Sequence, residues 1–340
     1  MKINNHRKSV HALYIKLLCA ELENYGVSVE ESLAASHLPK DFMTEAEGLI
    51  SIYEYQQMTG FARKRSGRDW IGLDMGKKVI PNHHGVLGAL MASSKNGEVA
   101  IKALLKYLPL RSQLLQLDFS SNQQTVELRV IEQVNLGAIR VIFLEAFFGI
   151  FVNFMEVIYG KKIKGLCLDF NYAAPAYSDK YASFFSCPVQ FNKKSAVIRF
   201  DMEVLQEKNL MADAQASKMA EVQCDKLLES LISNNGFKNK IESLILDEEL
   251  PFPTLEKVAE KLSMSKSTFI RRLALADTSY KKITDNIRGE LANYYLIETG
   301  LSIENIAEKL GYADTSNFSR VFKRWHKLTP SQFRSLQLNS

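Results

Sequence analysis

The chain predicts an α+β domain followed by an all-α domain in which two helix-turn-helix units are joined by a long helix. Three observations carry that reading. Apolar and polar residues alternate through "QLLQLDFSSNQQTVELRVIE" on either side of a turn-forming centre, the pattern of a β-hairpin flanked by segments of helical spacing. Near the C-terminus, "LEKVAEKLSMSKSTFIRRL" (255–273) aligns with "IENIAEKLGYADTSNFSRVF" (303–322) once a single residue is inserted. Finally, the net charge of +5 is unevenly placed: from Thr254 onward lie 14 of the 43 basic and 9 of the 38 acidic residues, leaving 29 of each upstream. All the excess positive charge therefore belongs to the last quarter, an electrostatic footprint suited to a polyanion.

A length of 340 residues suits two domains, and 46% apolar with 24% charged residues suits a soluble chain with a real core. The polar, glycine-containing "SNNGF" (233–237) reads as the linker, giving domains 1–232 and 236–340. The N-terminal stretch lacks the apolar core and cleavage site of a signal peptide. Four scattered cysteines without a C-x-x-C pair argue against zinc fingers and a disulfide framework, and for a reducing cytosol.

In the first domain, "HHGVLGALMASSKNGEVAIKALLKYLPL" predicts two helices with a turn near Asn96-Gly97, upstream of the hairpin. The segment "VIFLEAFFGIFVNFMEVIYG" (141–160) is long enough to span a membrane, but Glu145, Asn153 and Glu156 lie within it. Each carboxylate would cost about 2–3 kcal/mol at mid-bilayer, so a buried core helix is the expectation and no membrane is implied. A second reading makes this helix the wall of an apolar ligand cavity, with Phe147, Phe151 and Phe154 facing the ligand and Arg140 or Lys162 meeting an acidic head group. "IKGLCLDFNY" and "AVIRFDM" predict further strands, and "DAQASKMAEVQCDKLLESLI" a helix leading into the linker. The pair His83-His84 invites a metal, yet adjacent side chains diverge and no acid or Cys stands at i+4, so no metal site is expected. No nucleophile elbow, phosphate-binding loop, dinucleotide fingerprint or zinc-protease helix occurs, and no catalytic residues or cofactor are expected.

The second domain repeats one grammar twice. Thr254 and Ser302 stand as N-caps of the first helices, Ser265 and Asp314 as N-caps of the second. Gly311 suits the left-handed position after its helix, where Ser263 stands less comfortably in the first copy. On the last of these helices, Phe318, Val321, Phe322 and Trp325 fall at i, i+3, i+4 and i+7 and form one apolar stripe. The opposite side carries Thr315, Ser316, Ser319, Arg320 and Lys323, small hydroxyls and cations without a carboxylate. The alignment pairs Ser267 with Ser316, Ile270 with Ser319 and Arg271 with Arg320, so both copies turn an Arg outward at one position. Such faces fit double-stranded DNA. Arg can hold guanine O6 and N7 bidentately and Ile270 can meet a thymine methyl, while Lys266, Arg272, Lys323 and Arg324 flank the faces at phosphate positions. Between the copies Ile283, Ile287, Leu291 and Tyr295 step by four along one long helix, ended by Gly300.

Residues from about 236 to 336 resemble the DNA-binding domain of the AraC/XylS family of bacterial transcription regulators. The motif "LSIENIAEKLGYADTSNFSRVFKRWHKLTPSQFRS" carries the likeness, closing on a T-P-x-x-F-R in which Thr329 caps a helix with Pro330 at its first position. The first recognition helix departs from its partner in offering only Ser267, Ile270 and Arg271 to bases. "GLDMGKKVIPNHHGVLGALMASS" (72–94), "LDFNYAAP" (168–175) and "FFSCPVQFNKKSAVIRFDMEVL" (184–205) are similar to the arabinose-binding-type sensing domain of such regulators. The resemblance implies an α+β N-terminal sensing domain and an all-α DNA-binding domain in a cytoplasmic protein. Promoter DNA and RNA polymerase would be its partners, a homodimer its assembly, and a fatty-acid-like or small polar metabolite its effector. Control by dimerisation alone, a nonspecific architectural DNA binder and an enzyme are the alternatives.

Overall fold

The structure, a computed structural model, describes residues 8–36, 38–45, 49–246, 252–276, 278–326 and 328–338. Contacts divide the chain into two units, Met1–Glu229 and Ser230–Ser340. The first opens with β1 (Lys8–His11), α1 (Leu13–Glu23), α2 (Val29–Ala35), α3 (Phe42–Glu45), β2 (Leu49–Ser51) and α4 (Ile52–Ser66). Next come α5 (Ile71–Lys78), α6 (Gly85–Ser93), α7 (Gly97–Tyr107), β3 (Leu115–Ser121), β4 (Thr125–Glu132) and α8 (Arg140–Tyr159). β5 (Cys167–Asp169), α9 (Asp179–Phe185), β6 (Val189–Gln190) and β7 (Ala196–Asp201) complete it, before α10 (Ala214–Leu246).

The expected hairpin and strands form one five-stranded sheet in the order β3-β4-β7-β5-β6, while β1 and β2 pair separately. Leu117 lies opposite Val130, and Leu128 opposite Ile198 in the next strand. Leu115, Leu117, Val126, Leu128, Val130, Ile198 and Phe200 are buried on the core face, whereas Phe119, at the same register, is 38% exposed. The period-two alternation thus places one apolar face inward, as strand geometry requires.

The phenylalanine-rich segment is α8, and it lies inside the first unit's core rather than presenting an apolar surface all round. Its close approach to α5 is set by two glycines. A Cβ on Gly149 would stand 2.7 Å from the Cα of Gly76, and one on Gly76 2.6 Å from the Cα of Gly149. Polar groups on α8 have partners that relieve their burial. Asn153 donates to the carbonyl of Val79 at 2.9 Å. The fully buried Glu145 accepts hydrogen bonds through Oε1 from the hydroxyls of Tyr177 (3.0 Å) and Tyr181.

The reading of "SNNGF" as a loop is overturned: residues 233–237 are helical within the 33-residue α10. Gly236 sits on an exposed side, and Phe237, Ile241 and Ile245 supply a buried stripe beyond it. Apolar spacing outweighs a glycine cost of about 1 kcal/mol.

The second unit contains α11 (Leu255–Lys261), α12 (Lys266–Leu275), α13 (Tyr280–Glu298), α14 (Ile303–Lys309), α15 (Thr315–His326) and α16 (Pro330–Leu338). Equivalent residues of the repeat are buried in both copies: Val258 and Ile306, Ala259 and Ala307, Phe269 and Phe318, Leu273 and Phe322. They form two small cores, and α13 serves both, with Ile283 and Ile287 in one and Ala292 and Leu296 in the other. Left-handed backbone follows α11 at Ser263 (φ 54°) and α14 at Gly311 (φ 75°). Gly300 does not end α13. The helix stops at Glu298, Thr299 turns to extended backbone, and its hydroxyl donates to the carbonyl of Tyr295 at 2.6 Å.

Two consequences are measurable. Gly149→Ala gains helix propensity of about 1 kcal/mol but drives a methyl into the α5 backbone. The net expectation is a loss of about 2 kcal/mol and a Tm lowered by roughly 4–8 °C. A neutral or raised Tm would show that the two helices yield at no cost. Burial pushes the Glu145 carboxyl up from 4.5 to about 7, against the opposing effect of the two tyrosine hydrogen bonds. Between those values the folded chain holds more protons than the unfolded chain, so stability falls as pH rises through this window. The fall is on the order of 3 kcal/mol in all. Urea midpoints from pH 4 to 8 should show this slope, and Glu145→Gln should flatten it; parallel profiles for the two proteins would refute the assignment.

Candidate nucleic-acid interface and ligand cavity

The two candidate interface helices are anchored from behind and capped in front. On α12, Ser265 Oγ accepts from the Thr268 amide at 3.2 Å, and Phe269 and Leu273 point into the core. That leaves Ser267, Ile270 and Arg271 exposed. On α15, Asp314 Oδ1 accepts from the Asn317 amide at 2.6 Å, and Phe318 and Phe322 are fully buried. Ser316 and Arg320 are exposed, with Thr315 and Ser319 half-buried beside them. Each copy therefore turns its outward Arg to solvent because the aromatic side of the same helix is held in its own small core. Arg320 Nη2 donates to Asn317 Oδ1 at 3.3 Å, a neutral partner that a base edge could replace.

The flanking cations differ in how free they are. Lys323 is exposed. Lys266 lies 2.7 Å from Glu256 with both side chains mostly in water, a weak ion pair that a phosphate can displace. Arg324 reaches Asp285 only at 4.0 Å. The Arg272 guanidinium sits over the Phe237 ring, 4.3 Å from its centroid, so it is partly engaged with α10.

Two arginines to which the sequence assigned no role are structural. Arg288 donates through Nε to the Leu310 carbonyl at 3.2 Å, past the end of α14. Arg334, the last residue of the T-P-x-x-F-R motif, donates to the carbonyls of Leu296 (3.0 Å) and Leu301 (2.6 Å) around the end of α13. Unpaired carbonyls at helix ends need such donors, and the motif's terminal Arg supplies them. Its spacing from Thr329 was visible; its target, more than thirty residues upstream, was not.

In the first unit a cavity of about 70 Å³ lies against one stripe of α8. Phe147, Phe151 and Phe154 line it, as the helical spacing predicts. The expected cations do not. Arg140 is held by Glu132 (Nε to Oε1 2.8 Å, Nη2 to Oε2 3.0 Å), and Lys162 is paired with Glu156 at 2.8 Å. Lys162 lines instead a more polar depression with Asn153, Glu156 and Ser183. Both corrections have one cause: a carboxylate outside the cavity lining claims each side chain. The cation at the cavity is Arg111, which is 9% exposed and donates to the His83 carbonyl at 3.1 Å. Its position is fixed by backbone bonds from β1, His11 N to the Arg111 carbonyl (3.1 Å) and Gln113 N to the Ser9 carbonyl (2.9 Å). Beside it, burial and then the Arg111 charge push His84 down to about 3 and His11 to about 4, so both are neutral near pH 7.

Comparison with known proteins bears on both regions. Residues 26–209 match the family model described as the arabinose-binding domain of AraC transcription regulator, N-terminal, and residues 258–335 match a helix-turn-helix domain. The chain is 29% identical over 332 residues to the ornithine utilization regulator of Pseudomonas aeruginosa, covering 98% of each protein. It is 24% identical over 262 residues to the HTH-type transcriptional regulator VirS of Mycobacterium tuberculosis, covering 74% of this chain and 75% of that one. Among solved structures, the transcriptional regulator CdpR from Pseudomonas aeruginosa aligns over 93% of this chain and 97% of its own, with a TM-score of 0.46 and 22% identity.

Arg334→Ala removes a charged donor from two carbonyls and should destabilise the second unit by about 1.5–3 kcal/mol. The loss should appear as faster hydrogen exchange at the end of α13 and through α14. Unchanged exchange there would mean that the two carbonyls find other partners.

Proposed function

This chain belongs to the AraC family of DNA-binding transcription regulators, and on that premise we propose that it reads two consecutive major-groove segments under the control of a small molecule bound in its N-terminal domain. Ser267, Ile270 and Arg271 of α12 and Thr315, Ser316, Ser319 and Arg320 of α15 face bases. Lys266, Lys323 and Arg324 contact phosphates, with Arg272 at the margin. The observation that carries this reading is the exposure of Arg271 and Arg320 at one matched position of a duplicated motif, each opposite a buried aromatic residue. The 19-residue α13 rises about 28 Å, the scale needed to place two helices about one DNA turn (~34 Å) apart.

The first domain's part is effector binding in the cavity against α8, which shifts the population of DNA-competent chains. Such a regulator works in the bacterial cytoplasm at promoters, with RNA polymerase as the machinery it influences. A homodimer would double the modest set of contacts one chain can make.

Arg320→Ala should cost ~1–3 kcal/mol on a selected operator and relax preference at one base pair, and Arg271→Ala should do the same one turn away. Lys323→Ala should weaken operator and random DNA alike and reduce the salt slope. Equal losses on both DNAs for Arg320→Ala, read by fluorescence anisotropy, would overturn its base-reading role.

A further inference from the structure

We propose that the cavity against α8 is a subsite for a small monocarboxylate with a short apolar chain, its carboxylate held by Arg111. This rests on the effector reading above and names the class of molecule that the site takes.

The argument begins with a charge that has no counterion. Arg111 is 91% buried by residue exposure, and no Asp or Glu lies within ion-pair distance of it among the described residues. Among the described residues its guanidinium donates to a neutral oxygen, the His83 carbonyl, with the Tyr14 hydroxyl beside it, and its Nε has no hydrogen-bond partner. His84 Nε2, also at the cavity, is likewise without a partner. Buried guanidinium groups are normally paired, because an uncompensated charge costs several kcal/mol in a low-dielectric site. The surroundings add to the positive potential. A Cβ on Gly85, the first residue of α6, would stand 3.9 Å from Arg111 Nη1, so the positive end of that helix adjoins the guanidinium.

The remainder of the lining selects what the anion carries. Phe147, Phe151 and Phe154 line the same cavity, and among the described residues no Asp or Glu does. An amino acid would place its ammonium beside a guanidinium with no lining carboxylate to pair with it, so an α-amino group counts against binding. A dianion would bring a second charge into a mostly apolar space. The volume of about 70 Å³ is roughly half the ~150 Å³ that takes up a benzene ring, which suits a short aliphatic chain and not a long acyl tail.

The test uses the full-length protein with propanoate, propanamide and ornithine as probes, read by calorimetry and by operator affinity. Propanoate should bind and shift operator affinity, while propanamide and ornithine should not. Arg111→Gln should lose at least about thirtyfold in carboxylate affinity, as expected when one partner of a buried charge pair is removed. Because Arg111→Gln also removes a buried donor from the His83 carbonyl, Ala146→Leu provides a second variant: it fills the cavity, leaves the anchor intact, and should abolish binding. Equal binding of propanamide and propanoate, lost in Ala146→Leu, would overturn the carboxylate anchor and leave the effector cavity standing. Tight ornithine binding that Ala146→Leu removes would overturn the exclusion of an ammonium. Carboxylate binding that survives Ala146→Leu would overturn the location. Failure of every probe to bind would overturn the monocarboxylate class, and the effector reading would fall only if a wider metabolite screen also left operator affinity unchanged.

Discussion

The second unit depends on one arrangement: a single helix, α13, lends its apolar side to two separate cores. Ile283 and Ile287 close the core of the first copy, and Ala292 and Leu296 that of the second, with Leu291 against both. Neither copy is large enough to bury its own apolar face. A two-helix unit with four or five core residues has too little buried surface to offset the entropy of ordering it. Shared packing on α13 answers this and fixes the spacing of the two recognition helices by the same contacts. The polar groups follow from the packing. With Phe269 and Phe318 inside, the 3.6-residue period leaves Arg271 and Arg320 no direction but outward.

A comparable economy governs the first unit, where α8 faces three environments. One stripe meets α5 through glycine, at a distance no larger residue permits. A second carries Glu145 to a group of tyrosines. The third, built on Phe147, Phe151 and Phe154, is left facing a cavity. A helix of such mean hydropathy passes a membrane-span test by length and composition, yet two-thirds of its most apolar window is covered by the chain itself. Its composition reflects burial over most of its surface, with the cavity as a place where packing is incomplete.

How much of this was legible in the sequence divides along contact range. Caps, turns and periodic faces depend on neighbours three or four residues away, and they read correctly: Thr254, Ser265, Ser302 and Asp314 all cap as their positions imply. The hairpin and the Phe stripe on the cavity were legible for the same reason. The linker was misread because glycine and asparagine are local signals for a turn, and the buried Phe237, Ile241 and Ile245 that hold the helix lie beyond them. The cavity's cation was misplaced because charge pairing reaches beyond the three- or four-residue neighbours of a helical face. Arg140 and Lys162 sat near the helix ends in sequence, but Glu132 and Glu156 engage them, whereas Arg111 is brought in by a strand at the far end of the chain.

The duplication also shows where its halves have diverged, and the differences share a direction. The second copy has Gly311 at the left-handed position, a fully buried Leu310, and a recognition helix whose outward side chains are all polar. The first strains Ser263 into that same conformation, leaves Leu262 only half-buried, and exposes Ile270 where its counterpart has Ser319. A left-handed non-glycine residue costs about 1–2 kcal/mol, so the first copy is the less ideal turn. It also offers fewer hydrogen-bonding groups, since an apolar side chain at Ile270 discriminates a thymine methyl but little else. On the reading that both helices enter grooves, the second copy carries most of the sequence choice through Arg320, Ser316 and Ser319. The first contributes position and one apolar contact. On that reading, one chain holds a strong and a weak reader.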